Sequence, residues 1–144
     1  MLKLIIADDE RIIRESISKM IDWNSLGIEL IGLCSDGIEA YNMILDECPD
    51  IVLTDIRMPG LSGLELIEKI SQTDLNIQFI LLSGFGEFEY AKQAMSYGVC
   101  DYILKPVSRE ELYKAFMRLR EGLDKNREEM SAASLPFSHY GDKA

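Results

Sequence analysis

The pair Asp8-Asp9, then Asp55, Ser83 and Lys105, form the set of side chains in this sequence best suited to joint chemistry, and each follows an apolar run. Three carboxylates gathered at one place do not all stay ionised without a counter-charge. Their hard oxygens suit Mg²⁺, which takes one or two carboxylates and keeps several waters. Formally, −3 from the acids, +2 from the metal and +1 from Lys105 sum to zero. Such a site admits a phosphoryl group, whose oxygens the metal and the ammonium neutralise. One carboxylate then serves as nucleophile and becomes an aspartyl phosphate, while the hydroxyl and backbone N–H groups steady the transferred oxygens. Taken singly, each residue has an ordinary reading. Asp55 is a turn or cap residue, Asp8-Asp9 a helix N-cap with Glu10 in a dipole-favoured first turn, Ser83 a turn serine and Lys105 a solvated lysine. The chemical reading depends on their being brought together.

The elements that bring them together are legible as alternation. Short β-type runs at Leu2–Ala7, Ile28–Cys34, Ile51–Thr54, Gln78–Ser83 and Cys100–Leu104 are mostly continuous and apolar, as in strands covered on both faces. Between them lie segments of helical period. Ile12/Ile13, Ile17 and Met20/Ile21 mark the first, and about Gly37 to Cys48, stopped by Pro49, the second. The third covers roughly Gly63–Gln72 and the fourth Glu87–Tyr97, ended by Gly98. The fifth opens at Ser108. Ser62 with Glu65, and Ser108 with Glu111, match the S-x-x-E capping box. The fold class is α/β with a parallel sheet, in which all strands end at one edge and ligands bind where strand order reverses. Asp8-Asp9, Asp55, Ser83-Gly84 and Lys105-Pro106 all fall at strand ends, so they share that edge.

Bulk properties narrow the function further. A chain of 144 residues, 47% apolar, is expected to form one domain with a real core. Fifteen basic against 25 acidic residues, a net charge of −10, opposes binding to polyanions, so no direct nucleic-acid binding by this chain is expected. Cys34, Cys48 and Cys100 form neither a CxxC pair nor an even set, which points to reduced thiols. The apolar stretch "LKLIIA" is too short for a signal-peptide core or a membrane span, so a cytoplasmic protein is expected. The apolar period fades after Glu128. Residues 1–128 are read as the folded domain and 129–144 as an unstructured linker or tail.

The stretches "IIADDE" (5–10), "IVLTDIRMPGLSG" (51–63), "FILLSGFG" (79–86) and "DYILKPV" (101–107) closely resemble the receiver domains of two-component response regulators, over roughly residues 1–125. The resemblance implies a flavodoxin-like, doubly wound sheet of five parallel strands in the order 2-1-3-4-5 with five helices. It implies Asp55 as phosphoacceptor, Asp9 as a direct Mg²⁺ ligand, Asp8 acting partly through water, and the Arg57 backbone carbonyl as a further ligand, with the Arg57 side chain free to vary. Ser83 and Lys105 are then the residues that answer the phosphoryl group, and Tyr102 the aromatic that changes rotamer with Ser83. A cis Lys105-Pro106 bond is also implied. Gly84 departs from the alanine common in the family. "MIDWNSLGIELIG" (20–32) further resembles receivers attached to AraC-like helix-turn-helix outputs, and no such output lies in these 144 residues.

The function implied is a phosphoaccepting switch rather than an enzyme, assisting its own phosphorylation and dephosphorylation and controlling a DNA-binding transcription module. The one histidine, His139, lies in the unpatterned tail, so the donor is external: by resemblance, a sensor histidine kinase. The implied readout is a homodimer through the fourth helix, fifth strand and fifth helix. Leu112, Phe116, Leu119 and Leu123 repeat at near-heptad spacing and pack either on the sheet or on a second copy. Two other readings compete. A haloacid-dehalogenase-like phosphatase requires D-x-D after the first strand, where this chain has D-D. A phosphorylation-independent scaffold has no need of the acids and the lysine together.

Overall fold

A computed structural model describes residues 1–133, the last eight of them by backbone alone. The elements in chain order are β1 (Leu2–Ala7), α1 (Arg11–Met20), a 3₁₀ turn (Trp23–Leu26), β2 (Ile28–Cys34), α2 (Gly37–Glu47), β3 (Ile51–Asp55), α3 (Gly63–Ser71), β4 (Gln78–Ser83), α4 (Phe88–Met95), β5 (Asp101–Leu104) and α5 (Arg109–Ala133). All strand pairs are parallel, and the sheet order is β2-β1-β3-β4-β5, as the resemblance implies.

Alternation along the strands sorts the core into two layers, because successive side chains of a strand point to opposite faces. Leu4 and Ile6, Ile51 and Leu53, Ile80 and Leu82, and Ile103 pack with Ile17, Trp23, Leu112, Phe116 and Leu119 on the α1/α5 side. Ile5 and Ala7, Val52, Phe79 and Leu81 pack with Ala40, Ile44, Leu66, Ile67, Ile70, Ala91 and Ala94 on the α2/α3/α4 side. The rings of Trp23 and Phe116 meet edge to face at 4.9 Å, which ties the 3₁₀ turn to α5. That turn carries no apolar period and goes unpredicted from sequence.

Boundaries differ from the sequence reading where the backbone, rather than hydrophobicity, decides. β3 runs one residue further, to Asp55, because the ladder to β4 continues to the pair Asp55–Leu82. β5 starts one residue later, at Asp101. α4 is shorter than its pattern and stops at Met95; Ser96, Tyr97 and Gly98 close successive turns, and Gly98 takes a left-handed φ of 85°. Ser62 and Glu65 form the complete capping box. At Ser108 only half of it forms: the Ser108 Oγ accepts from the Glu111 N–H, while the Glu111 carboxylate takes the Ser108 hydroxyl instead of its N–H. The near-heptad repeat of α5 packs on its own sheet, with Leu112, Phe116 and Leu119 buried and Leu123 half-buried against the same cluster. Most of that stripe is therefore used within the chain itself. α5 continues to Ala133, past the limit of 128 drawn from pattern, and the rest of the tail, with His139, lies outside the described residues.

Candidate functional site

The two-residue period carries three of the site residues to one place. Asp8 follows Ile6, Asp55 follows Leu53 and Lys105 follows Ile103, each two positions on, so all three continue the α1/α5-side rows past the carboxyl edge of the sheet. Ser83 follows Leu81 and continues the opposite row, on the α4 side, where Tyr102 and Leu104 of the edge strand also point. The turn after β3 is held close by Gly63: a Cβ there would collide with the Asp55 carbonyl, so only glycine lets α3 start against the site.

Lys105 is the centre of the cluster. Its Nζ donates to Asp55 Oδ2 at 3.0 Å, and it stands 3.2 Å from Asp8 Oδ2 and 3.8 Å from Glu10 Oε1. The ordinary reading of Lys105 as a solvated lysine is thus excluded, since its side chain is 18% exposed and paired. The peptide it makes with Pro106 is cis. Asp8 and Asp55 are buried, and Asp9 beside them is exposed. Oxygens of Asp8, Asp9 and Asp55 all lie within 4.8 Å of one another. Asp8 is not the cap of α1. That position belongs to Glu10, which makes no side-chain cap bond and donates its own N–H to Asp8 Oδ1.

The electrostatics leave the cluster one cation short. Burial, then the neighbouring Asp8 charge, pushes the Asp55 carboxyl up to about 6, against the pull of Lys105 and the Ile56 N–H. For Lys105, burial works downward, but the hydrogen bond and charge of Asp55, with Asp8 behind them, outweigh it and hold the ammonium above its ordinary value. The two shifts are compatible: one ammonium shared between two buried carboxylates stays charged itself without fully stabilising either. Asp8 Oδ2 shows the same deficit directly. It is buried and, despite its nearness to Lys105, has no aligned hydrogen-bond donor among the described residues. A hard divalent cation fits this oxygen and its two carboxylate neighbours.

Arg57 lies two residues past Asp55 in the loop that follows β3, where the resemblance expects a carbonyl ligand. Its side chain, which the resemblance leaves free to vary, stands 3.4 Å from Glu87 and lies over the Tyr90 ring at 4.9 Å. Ser83 is buried, and its hydroxyl makes only a 3.5 Å contact with the Gly84 carbonyl. Tyr102 is exposed on β5. Sequence reasoning missed two participants. Arg14 donates Nη1 to the Asp8 carbonyl at 2.7 Å, holding the acidic turn against α1, and the Glu87 carboxylate accepts from the Gly84 N–H at 2.6 Å. A basic residue one turn into α1 was a readable signal for the first; nothing in the pattern marks the second.

A model of the response regulator receiver domain matches residues 4–117. The chain is 54% identical over 112 residues to the uncharacterized transcriptional regulatory protein YesN of Bacillus subtilis strain 168, covering 78% of this chain and 30% of that one. It is 41% identical over 119 residues to the transcriptional regulatory protein HptR of Staphylococcus aureus strain NCTC 8325, covering 83% of this chain and 46% of HptR. The chain therefore spans less than half of these relatives' length, 30% of one and 46% of the other. Among solved structures, the REC domain of AraT, a response regulator from Geobacillus stearothermophilus, superposes with a TM-score of 0.83 at 36% identity, over 88% of this chain and 98% of that one. With the receiver-domain model matching residues 4–117 and the whole five-stranded fold superposing on a receiver domain, the chain belongs to the response regulator receiver domain family.

Proposed function

We propose that the chain is a phosphoaccepting switch, in which Asp55 takes a phosphoryl group from the phosphohistidine of a sensor kinase and returns it to water. The observation that supports this best is the shared Lys105 ammonium, 3.0 Å from Asp55 and 3.2 Å from an Asp8 oxygen that has no hydrogen-bond donor among the described residues. In the transfer, an Asp55 oxygen attacks phosphorus, the P–N bond to the donor imidazole breaks, and the leaving nitrogen keeps the electron pair. Lys105 answers the charge added beside Asp55, and the Ser83 hydroxyl and neighbouring N–H groups take the transferred oxygens. Asp8, Asp9, Asp55 and the Arg57 carbonyl would hold Mg²⁺, which supplies further neutralisation of the phosphoryl oxygens. The chain turns over no substrate pool of its own in this reading, so it is a switch and not an enzyme.

The output is a homodimer through the face built by α4, β5 and α5. Ser83 and Tyr102 lie on the same side of adjacent strands, with the pairs Leu81–Tyr102 and Ser83–Leu104. A movement of Ser83 toward the phosphoryl group therefore opens room for Tyr102 on that side. Met95, Tyr97, Tyr102, Leu104 and Tyr113 are exposed on or beside these elements. Regulation of transcription comes to this chain from the names of its relatives and requires a DNA-binding module, because a net charge of −10 opposes direct contact with nucleic acid. No helix among the described residues is long and apolar enough to cross a membrane; a cytoplasmic setting is part of the proposal. The decisive experiment is mass spectrometry after incubation with acetyl phosphate and Mg²⁺. A single phosphoryl adduct, lost in Asp55→Asn, is expected, and an adduct retained in that variant overturns the assignment.

A further inference from the structure

Glu87 opens α4 without capping it. Its carboxylate folds back over the loop between β4 and α4 instead. Oε1 accepts from the Gly84 N–H at 2.6 Å, and Oε2 stands 3.4 Å from Arg57 Nε. The Glu87 N–H also donates to the Gly84 carbonyl at 3.2 Å, so the turn is closed from both sides. Although exposed acids usually stay in water, the Glu87 side chain is only 14% exposed. A methyl group at Gly84 would stand 3.3 Å from Glu87 Oε1, closer than ordinary contact, so the glycine makes room for the carboxylate.

The place of this contact gives it meaning. β3 and β4 are in register with Asp55 opposite Leu82, so Ser83 and Gly84 extend just beyond Asp55 at the edge from which its carboxylate projects. Phosphoryl oxygens arriving there need O–H and N–H donors. The Ile56 N–H already serves Asp55 Oδ1. The Ser83 hydroxyl is almost uncommitted. The next donor along β4 is the Gly84 N–H, and an anion already occupies it.

We propose that Glu87 is a built-in competitor of the phosphoryl group: its carboxylate holds the Gly84 N–H until a phosphoryl oxygen displaces it. Displacement also breaks the link to Arg57, which lies in the loop after β3 and packs on Tyr90 of α4. One exchange of anions thereby loosens both loops beside Asp55 and the first turn of α4 together. Glu87 is a positioning residue in this scheme and touches none of the three acids. The proposal rests on Asp55 being the phosphoacceptor.

The test is a titration of the full chain with beryllofluoride at saturating Mg²⁺, followed by amide NMR, for wild type, Glu87→Gln and Glu87→Ala. Removing a competitor held by a charge-assisted hydrogen bond is expected to lower the half-saturating beryllofluoride concentration about tenfold in Glu87→Ala and about threefold in Glu87→Gln. Mg²⁺ affinity without beryllofluoride is expected to stay unchanged, a result that general loosening of the loop does not give. In wild type the Gly84 N–H and Arg57 Nε–H signals shift together on saturation, and in Glu87→Ala the Arg57 signal no longer responds. The glutamine variant keeps the side-chain volume and provides the comparison if the alanine variant folds poorly. Uptake by wild type with an unchanged or higher half-saturation in both variants overturns the competitor role alone. Absence of uptake by wild type overturns the phosphoacceptor reading, and the competitor role falls with it.

Discussion

Asp55 and Lys105, fifty residues apart in sequence, are joined by a hydrogen bond of 3.0 Å at the carboxyl edge of the sheet. The bond leaves Asp55 only partly compensated, because Lys105 also faces the buried Asp8. Asp55 thus weakens the folded state whenever it is ionised and unmetallated, and this sets the sign of the first prediction.

A carboxyl raised from 3.8 to about 6 on folding binds its proton more tightly in the native state. Stability therefore falls as pH rises from near 4 through 6, and the full penalty is present at pH 7. Asp55→Asn, which mimics the neutral form, is expected to stabilise the metal-free protein at pH 7 by roughly 1–3 kcal/mol. Below pH 4 the gain disappears. Thermal melts of both proteins at pH 7 and pH 3.5 in chelator check this; an equal gain at both pH values contradicts the crowded-cluster account.

Lys105→Ala removes the cation that competes for the same carboxylates. Mg²⁺ binding, measured by calorimetry, is expected to be unchanged or tighter, while the metal-free protein melts lower because Asp8 and Asp55 then face each other unpaired. Switching, read as beryllofluoride-induced dimerisation, is lost. Weaker Mg²⁺ binding with switching intact would reverse the roles of lysine and metal.

Phe116 is fully buried against Trp23, whereas Phe85, in the loop beside the site, is fully exposed. Phe116→Ala is expected to cost about 3–5 kcal/mol in urea unfolding, from the cavity it leaves and the lost ring contact. Phe85→Ala stays within about 0.5 kcal/mol of wild type, as a surface change does. Similar costs for the two would mean that Phe85 packs on something in solution.

Light scattering of the beryllofluoride–Mg²⁺ form is expected to show a dimer, with the untreated form more monomeric. Leu104→Glu, on the exposed outer side of β5, should weaken that dimer while leaving the melting temperature nearly unchanged, since Leu104 is 56% exposed. Equal association of both forms would uncouple this face from Asp55.

Much of this was legible in the sequence, and for a physical reason. Strand runs such as Ile51–Thr54 are written in apolar, β-branched residues, and in a parallel sheet their ends must share an edge, so the convergence of Asp8, Asp55, Ser83 and Lys105 followed from order alone. What escaped depends on backbone paths that composition does not encode. The 3₁₀ turn at Trp23–Leu26 is placed by tertiary packing on Phe116, not by a period of its own. Glu87 reads as an ordinary helix-opening acid, and its return to Gly84 depends on the geometry of one turn. The repeat at Leu112, Phe116 and Leu119 is ambiguous by nature, since a stripe that fits a second helix also fits the chain's own sheet.

The alternation that delivers Asp8, Asp55 and Lys105 to one layer works as a parity rule on chain length. Inserting or deleting a single residue inside β1, β3 or β5 sends the corresponding acid or lysine to the opposite layer, toward α3 and α4, while leaving the strand's composition almost unaltered. A two-residue change restores the side but displaces the group by about 6.6 Å along the strand, beyond the reach of its partners. The loops at the far edge of the sheet, such as the one between α3 and β4, are under no such rule and tolerate added length without moving the three groups. Tolerance to insertion should therefore differ sharply between the two ends of the same molecule, with the strands acting as a ruler that counts in twos.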